Sequence, residues 1–222
     1  MSYSGHPDQH FGCLTYSQHG EDLMLCNLFV MLNISNQTLA WIDVGAHHPS
    51  NISNTKLLYE RGYHGVNVEA NPNLIALFNL ERPRDTNINL GIGVETGTQI
   101  FNMYDQTSGR NTFSNEETKR LEGVMQVRDH MSLPVVRLND IVQFNCNGTF
   151  PPLLSIDIEG LDYVVLENAD FSTSRPMLIV VETRRDDTKR MAEMLYKKGY
   201  TLYCRMGENL IFVISSHYMK VF

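Results

Sequence analysis

The chain has 222 residues, of which 42% are hydrophobic, and it carries 25 acidic and 18 basic side chains. This length and composition suit one large α/β domain spanning residues 1–222. The formal charge of −7, without a Lys/Arg-rich block, disfavours binding to nucleic acid or to an anionic membrane surface. A membrane-spanning apolar run and a secretory signal are also missing, so the expected location is the cytoplasm, where the four scattered cysteines would stay reduced.

The first third of the chain predicts two strand–helix units. A polar lead of residues 1–15 precedes a helix that Ser17 can cap. The run LAWIDVG (39–45) is typical of a buried parallel strand that ends in a tight turn, and a helix capped by Ser53 follows it. GVNVEANP (65–72) repeats this pattern, with its proline placed to open another helix.

The middle of the chain predicts a polar insertion that could cover an acceptor. NINLGIGV (87–94) and TQIFNMY (98–104) are strand candidates separated by a turn-like break. Residues 105–134 are polar and weakly patterned, with a helix predicted over EETKRLEGVMQV (116–127). A stretch of this length between strands is more often a functional lid than an idle loop. VVRLNDIVQF (135–144) is predicted as a short helix.

The last third predicts two parallel strands and a closing hairpin. PPLLSIDIEG (151–160) and PMLIVVE (176–182) are each followed by a helical pattern, and YTLYCRMGENLIFVISS (200–216) predicts two strands joined by a tight turn. The alternation favours a Rossmann-like α/β fold, with a mostly parallel sheet, one antiparallel hairpin strand, helices on both faces and a ligand site at the carboxyl strand ends. Such a hairpin is more typical of class I methyltransferases than of nicotinamide-dependent oxidoreductases.

Acidic side chains at the ends of the first two strands point to a nucleoside-type ligand. The carboxylate of Asp43 can balance a cationic amino group, and Gly45 lets the backbone approach a ligand closely. Glu69, at the end of the second strand, can accept both hydroxyl groups of a ribose. A capped turn for Asp43 and a helix N-terminal acid for Glu69 are the structural alternatives. The first loop has only one of the three glycines of GxGxxG, which disfavours a dinucleotide enzyme; a non-catalytic nucleoside-binding protein stays open.

Five motifs in this order resemble the FkbM-type methyltransferases: YSQHGED (16–22), IDVGAHHPSNISNT (42–55), RGYHGVNVEANP (61–72), LSIDIEGLDYVVL (154–166) and IVVE (179–182). The resemblance implies a class I methyltransferase fold, S-adenosylmethionine as cofactor, and O-methylation of sugars, nucleotide sugars, polysaccharide precursors or macrolides. HHP at 47–49 departs from the commoner family loop. The resemblance implies that Asp43, Gly45, Glu69, Gln18 and Glu21 bind the cofactor. The predicted cofactor-binding set also includes Ala46, Asn54, Ala70 and Asp157.

Methyl transfer needs an aligned acceptor and one group that takes its proton. Asp157, at the end of a buried strand, is the first candidate for this base; Glu159 would support it or cap the helix that follows. His47 is another candidate base, and packing within its loop is the alternative. Asp157 and Glu182 end adjacent predicted strands and would suit Mg²⁺, so a metal-assisted catechol-type enzyme is also considered, although no metal site is assigned.

The predicted partner is a small-molecule or glycan acceptor, and self-association into a homo-oligomer is left open. Contacts to the acceptor are expected from the polar insertion, and arginines could hold the phosphate of a nucleotide sugar, with a solvated surface as the alternative. His6 and His10 belong to the polar lead and are not expected to bind a metal. The residues considered for the acceptor are Arg110, Asn111, Thr112, Phe113, Arg184 and Arg185.

Overall fold

The structure is a computed structural model that describes residues 14–220. Most of the polar lead, with His6, His10 and Cys13, lies outside these residues. Cys26, Cys146 and Cys204 are free thiols. Within the described range, no helix combines the length and apolar character needed to cross a bilayer.

The described chain contains ten β-strands and seven α-helices. The strands are β1 (Trp41–Val44), β2 (Val66–Val68), β3 (Thr86–Ile88), β4 (Gly91–Gly93), β5 (Gly97–Met103), β6 (Asp129–Arg137), β7 (Leu153–Ile156), β8 (Leu178–Glu182), β9 (Tyr200–Met206) and β10 (Asn209–Ile214). The helices are α1 (Glu21–Met31), α2 (Lys56–Glu60), α3 (Pro72–Glu81), α4 (Asn115–Leu121), α5 (Leu138–Asn145), α6 (Asp162–Asn168) and α7 (Thr188–Lys197), and a 3-10 helix follows at Ser215–Lys220.

Seven strands form the large sheet, in the order β3-β2-β1-β7-β8-β10-β9. Five of them pair in parallel, whereas β10 runs antiparallel to both β8 and β9. The turn between β9 and β10 consists of Gly207 and Glu208. This arrangement confirms the predicted mostly parallel sheet with a C-terminal hairpin.

Helices cover both faces of the large sheet, as predicted. Successive side chains of a strand point to opposite faces. Ile42 and Val44 of β1 therefore pack with α5, α6 and α7, while Trp41 packs with α1 and α2 on the other face. The β7 residues Leu153 and Leu154 divide between the two core clusters in the same way. This double burial explains why the central strands are near-continuous apolar runs.

Local signals set several helix boundaries. Asn71 caps α3 by accepting a hydrogen bond from the Asn73 backbone, and Pro72 occupies the first helical position, as predicted. Two predicted caps are wrong. Gly20, in a left-handed conformation, precedes α1, and Thr55, without a side-chain capping bond, precedes α2. The Ser17 hydroxyl nevertheless accepts a hydrogen bond from the Asp22 backbone, 3.2 Å away.

The middle of the chain differs from the prediction because it forms a second sheet, in the order β4-β6-β5. The segment 87–94 splits between β3 of the large sheet and β4 of the small one. β6 runs from the polar insertion into the segment 135–144 predicted as helix, and α5 begins only at Leu138. Met131, Leu133 and Val135 alternate with the exposed Ser132 and Pro134, but this alternation is short and contains a proline, so it is a weak strand signal. Gly123, with φ of +84°, follows the early end of α4.

Candidate functional site

The carboxyl ends of β1, β2, β7 and β8 border a cleft formed by two adjoining cavities of about 50 and 250 Å³. We call the smaller one the apolar half and the larger one the acidic half. The two halves share Gly45, His47, Gly109, Asp157 and Glu159. The apolar half is lined further by Glu69, Ala70, Leu74, Leu90, Ile92, Phe101 and Phe113. The acidic half is lined further by Gln18, Asp43, Ala46, Asn54, Arg110, Glu182 and Glu208.

Gly45 lies where the first loop touches the end of β7. Its φ is +71°, and a Cβ atom at this position would stand 1.8 Å from the carbonyl oxygen of Asp157. No residue with a side chain fits that space. The predicted close approach therefore occurs, but the partner present in the structure is the protein's own backbone.

Glu69 follows β2 and is held by backbone donors. Its two carboxylate oxygens accept hydrogen bonds from the backbone N–H groups of His47 (2.8 Å) and Asn71 (2.7 Å). Burial raises the pKa of Glu69 to about 7, and these two bonds oppose the rise. Because each carboxylate oxygen has a second lone-pair direction, Glu69 keeps capacity to accept hydroxyl groups from the apolar half.

Asp43 is a buried residue of β1 that lines the acidic half. The Thr55 hydroxyl donates to its Oδ2 at 2.8 Å. Burial raises the pKa of Asp43, and the Thr55 bond and the charge of Arg82 oppose this rise. A cationic group entering the acidic half would find a carboxylate with one oxygen already oriented.

Asp157 and Glu182 lie at the ends of the adjacent strands β7 and β8, as the sequence predicts. Burial, followed by the charges of Glu182, Asp162 and Glu159, raises the pKa of Asp157 well above its usual range. The pKa of Glu182 is also raised, first by burial. The Oδ1 atom of Asp157 is buried and has no hydrogen-bond partner among the described residues.

Glu159 completes a carboxylate cluster with Asp157 and Glu182, in which oxygens of the three side chains lie within 4.8 Å of one another. Burial and the charge of Glu182 raise the pKa of Glu159 to about 7, while Arg110 opposes the shift. Arg110 Nη1 lies 3.1 Å from Glu159 Oε2. Oxygen ligands so placed are of the type that Mg²⁺ prefers, but the need for Mg²⁺ stays a prediction.

The predicted capping role of Glu159 is wrong, because Asp162 organises this turn. The Asp162 carboxylate accepts hydrogen bonds from the backbone of Ile158 (2.9 Å) and Gly160 (3.2 Å). Glu159 itself adopts a left-handed backbone with φ of +50° and uses its side chain for Arg110. An acid at the first position of α6 was available as a signal in the sequence.

Part of the polar insertion, residues 105–113, closes over the apolar half. The Thr112 hydroxyl donates to the carbonyl of Glu159 at 2.8 Å, and the Asn111 side chain bonds the backbone of Tyr104 and Asp105. Phe113 packs against Phe101 with 4.7 Å between ring centroids. Acceptor contacts were predicted from the insertion, but in the structure it also lines the apolar half, which contains Glu69.

His47 is engaged with the same loop. Its Nε2 atom lies 3.1 Å from the carbonyl of Thr107, and its backbone N–H donates to Glu69. With φ of +55°, His47 is one of three cleft-lining residues, besides Ile52 and Glu159, that have a left-handed backbone without being glycine. Such strain is held in place by the surrounding structure and often accompanies functional loops.

The remaining predicted site residues divide into two groups. Gln18, Ala46 and Asn54 line the acidic half, and Ala70 lines the apolar half. Glu21 lines neither: it is fully buried and accepts a hydrogen bond from Asn209 Nδ2 at 2.8 Å.

The arginines considered for the acceptor have other contacts or lie elsewhere. Arg110 and Arg184 are paired with Glu159 and Glu117, and Arg185 is exposed and lines neither half. Glu208, in the turn of the terminal hairpin, was not predicted as a site residue but lines the acidic half. Its signal was weak, since turn residues are commonly polar.

One protein-family model matches most of the chain. The family is described as "Methyltransferase FkbM domain", and the match covers residues 43–202. This range contains Asp43, Glu69, Asp157 and Glu182 and begins after Gln18. No curated protein matches the sequence.

Proposed function

The chain belongs to the FkbM methyltransferase family and is a methyltransferase; on this premise we propose that it uses S-adenosylmethionine to methylate a hydroxyl group of a sugar or polysaccharide precursor. The observation that carries the proposal is one cleft with Glu69 in its apolar half and Asp43 in its acidic half. A nucleoside with a cationic tail can use an acid at each of these two places, one for the ribose hydroxyl groups and one for the cation.

The residues present fit this cofactor. Leu74, Leu90 and Ile92 offer the apolar contacts that an adenine ring needs, and Glu69 has free lone pairs for ribose hydroxyl groups. Asp43 would hold the ammonium group, with Gln18 and Asn54 beside it. The buried and unpartnered Oδ1 atom of Asp157 supports a polar or cationic occupant between the two halves.

Asp157 is the proposed base. It lines both halves of the cleft, so an acceptor hydroxyl in the acidic half would lie next to its carboxylate. When bound, the cofactor would supply the methyl group that the acceptor oxygen receives. Asp157 would take the hydroxyl proton, and its raised pKa makes it a stronger base than an ordinary aspartate. His47, with its ring nitrogen near the Thr107 carbonyl, is the second candidate.

The charge of the acidic half supports a neutral polyhydroxyl acceptor over a nucleotide sugar. Carboxylates line this half, and its cation, Arg110, is already paired with Glu159. Among the residues that line this half, no unpaired arginine or lysine remains for a phosphate group, whereas sugar hydroxyl groups can donate to the carboxylates. A macrolide or another small hydroxylated molecule satisfies the same requirement and is the alternative acceptor.

Calorimetric titration with S-adenosylhomocysteine tests the cofactor assignment. We expect the parent protein to bind and both Asp43→Ala and Glu69→Ala to bind at least about tenfold more weakly, because each removes a charge-assisted contact. Thr201→Val, on β9 and outside the cleft, is the control that should bind normally. A parent protein that does not bind would refute the proposed function; normal binding by both Ala variants would refute the site.

Methyl transfer to a panel of acceptors tests the substrate class. We expect S-adenosylmethionine-dependent product with neutral oligosaccharides and less with their phosphorylated counterparts. A preference for the phosphorylated sugars would overturn the acceptor assignment while leaving the cofactor assignment intact. Repeating the assay after chelation of divalent ions tests whether the carboxylate cluster needs Mg²⁺.

A further inference from the structure

A buried ion pair lies two hydrogen bonds away from Asp43. Arg82 and Asp85 have fully buried side chains, with 2.7 Å between Arg82 Nη2 and Asp85 Oδ2. Neither residue lines a half of the cleft. Removing two charges from water is costly unless further hydrogen bonds satisfy both groups, so the additional partners of this pair are informative.

Both members of the pair are held by further contacts. Asp85 accepts hydrogen bonds from the Gly65 backbone (3.0 Å) and from Asn67 Nδ2 (2.9 Å). The Arg82 guanidinium also lies against three aromatic rings, at 5.2 to 5.4 Å from the centroids of Trp41, Tyr59 and Phe78. A guanidinium fixed in this way presents its remaining N–H groups in set directions.

One of these N–H groups reaches Asp43 through Thr55. Arg82 Nη1 donates to Thr55 Oγ1 at 3.0 Å, and Thr55 Oγ1 donates to Asp43 Oδ2 at 2.8 Å. A threonine hydroxyl has a single proton. Because the Thr55 oxygen accepts from an arginine that is always protonated, its proton points to Asp43.

We propose that Thr55 is a positioning residue for the cofactor's ammonium group: Arg82 orients its hydroxyl, and the hydroxyl holds the Asp43 carboxylate in place. The inference rests on the proposed function, since it requires Asp43 to bind that ammonium group. The inference gives the buried pair Arg82–Asp85 a role in binding, although neither residue lines the cleft. A hydrogen bond to the charged form of an acid favours that form, so Thr55 also keeps the pKa of Asp43 lower than burial alone would make it.

Other charged groups around Asp43 define the electrostatic background. Arg82 and Asp85 lie on the Thr55 side and oppose each other in their effect on Asp43. Glu69, at the end of β2, is close enough for the charge of Asp43 to raise its pKa. Across the acidic half lie Asp157, Glu159, Glu182, Glu208 and Arg110. Substitution of Thr55 leaves all of these groups in place.

The test compares two probes on Thr55→Val: S-adenosylhomocysteine, which carries the ammonium group, and 5′-methylthioadenosine, which lacks it. We expect the Kd for S-adenosylhomocysteine to rise about tenfold and the Kd for methylthioadenosine to stay unchanged. Since an unionised Asp43 cannot hold the ammonium group, the pH below which S-adenosylhomocysteine binding is lost should rise in Thr55→Val. Thr55→Ser keeps the hydroxyl and should restore both the affinity and the pH profile.

Ser53→Ala is a matched control, because Ser53 accepts from the same Arg82 Nη1 at 3.4 Å but does not contact Asp43. Its affinities should match those of the parent protein. If Thr55→Val does not fold, Thr55→Ala replaces it. Equal losses for both probes would assign Thr55 a structural role and overturn the inference, as would an unchanged affinity for S-adenosylhomocysteine. If the parent protein binds neither probe, the proposed function fails instead.

Discussion

The carboxylates of the cleft form two groups with different surroundings. Asp43 and Glu69 each accept hydrogen bonds from neutral protein donors, the Thr55 hydroxyl and backbone N–H groups. Asp157, Glu159 and Glu182 instead face one another, and the cation among them is the partly exposed Arg110. The first group is oriented before any ligand arrives. Burial raises the pKa of all five acids, and in the second group the charge of Glu182 raises the pKa of Asp157 and Glu159 further, which suits these two to exchanging protons.

The two groups of carboxylates have different surroundings because different segments connect their strands to the next helices. The loop after β1 and the turn into α3 bring hydroxyl and backbone donors to Asp43 and Glu69. The ends of β7 and β8 bring acids next to acids, and the backbone donors of the β7 turn bind Asp162 instead. Binding and proton transfer are thus expected to depend on different groups within one cleft.

Replacing Gly45, which lines both halves of the cleft, should have the largest effect. In Gly45→Ala the new Cβ would overlap the Asp157 carbonyl, 1.8 Å away, in a left-handed backbone. We expect a loss of about 3 kcal/mol or more in the free energy of unfolding, measured by urea denaturation, and loss of S-adenosylhomocysteine binding. Gly97→Ala is the control, because a Cβ there meets nothing within 4 Å. If Gly45→Ala is as stable as the parent protein, the backbone of Gly45 does not lie as close to the Asp157 carbonyl as the structure shows.

Asp157→Asn tests whether the clustered group performs the chemistry. The amide cannot take a proton, so we expect kcat to fall by roughly 100-fold or more, which is far more than the change in the Kd for S-adenosylhomocysteine, whose proposed site Asp157 also lines. Single-turnover methyl transfer and calorimetry measure the two quantities. A variant that transfers methyl groups at the parent rate would move the role of base to another residue, with His47 as the next to be replaced.

Glu182→Gln tests whether charge within the clustered group controls proton transfer, because it removes the repulsion between Glu182 and Asp157. Removing the Glu182 charge lowers the pKa of Asp157, which that charge raises. A base is lost when pH falls through its pKa, so the acidic limb of the kcat profile should move down by about one pH unit. Glu193→Gln, on the exposed surface of α7, should leave the limb in place. If the acidic limb moves to higher pH or stays in place, the charge of Glu182 does not control protonation of Asp157.

Glu159 of the clustered group should contribute to the pH dependence of stability, in the same window as Glu69, whose pKa is also raised to about 7. The pKa of Glu159 is raised from 4.5 to about 7, so its contribution to stability is complete below about pH 4.5 and is lost as pH rises through about 7. We expect the free energy of unfolding to fall across this window by up to about 1.4 kcal/mol per pH unit for this group, and the slope to be smaller in Glu159→Gln. Urea denaturation at several pH values measures this dependence. If the slope of unfolding free energy against pH is the same in Glu159→Gln, the pKa of Glu159 is not raised as described.

Arg110→Met should have the smallest effect. The side chain is 44% exposed, so water and salt screen its attraction to Glu159, and the cost in the free energy of unfolding should stay below about 1 kcal/mol. The pKa of Glu159, which Arg110 lowers, should rise. Denaturation and NMR titration of the Glu159 carboxyl test these two effects separately. A large loss of stability would mean that Arg110 has a structural role beyond this ion pair.

Much of the strand framework and three of the central acids could be predicted from sequence. Asp43, Glu69 and Asp157 stand directly at the ends of apolar runs, and parallel strands bring such ends together. The hairpin was predictable because the turn residues of MGEN separate two strand-like runs. In each case, the signal lies within a few neighbouring residues.

The contacts that sequence did not reveal join residues that are distant along the chain. Thr55 meets Asp43 and Arg82 through the packing of three separate segments, and no periodic pattern marks them. Glu208 enters the cleft only because β10 inserts between β8 and β9. The strand β6 was not predicted because its alternation of Met131, Leu133 and Val135 with exposed residues is short, contains Pro134 and lies in a largely exposed segment.

Closure of the 105–113 loop has a consequence for turnover. With the Thr112–Glu159 and His47–Thr107 contacts in place, the apolar half encloses about 50 Å³, far less than the roughly 300 Å³ or more of typical ligand pockets. Opening of these contacts would enlarge this half for an entering nucleoside. The residence time of the spent cofactor would then be set by loop opening, and the overall rate could be limited by this conformational step rather than by bond making.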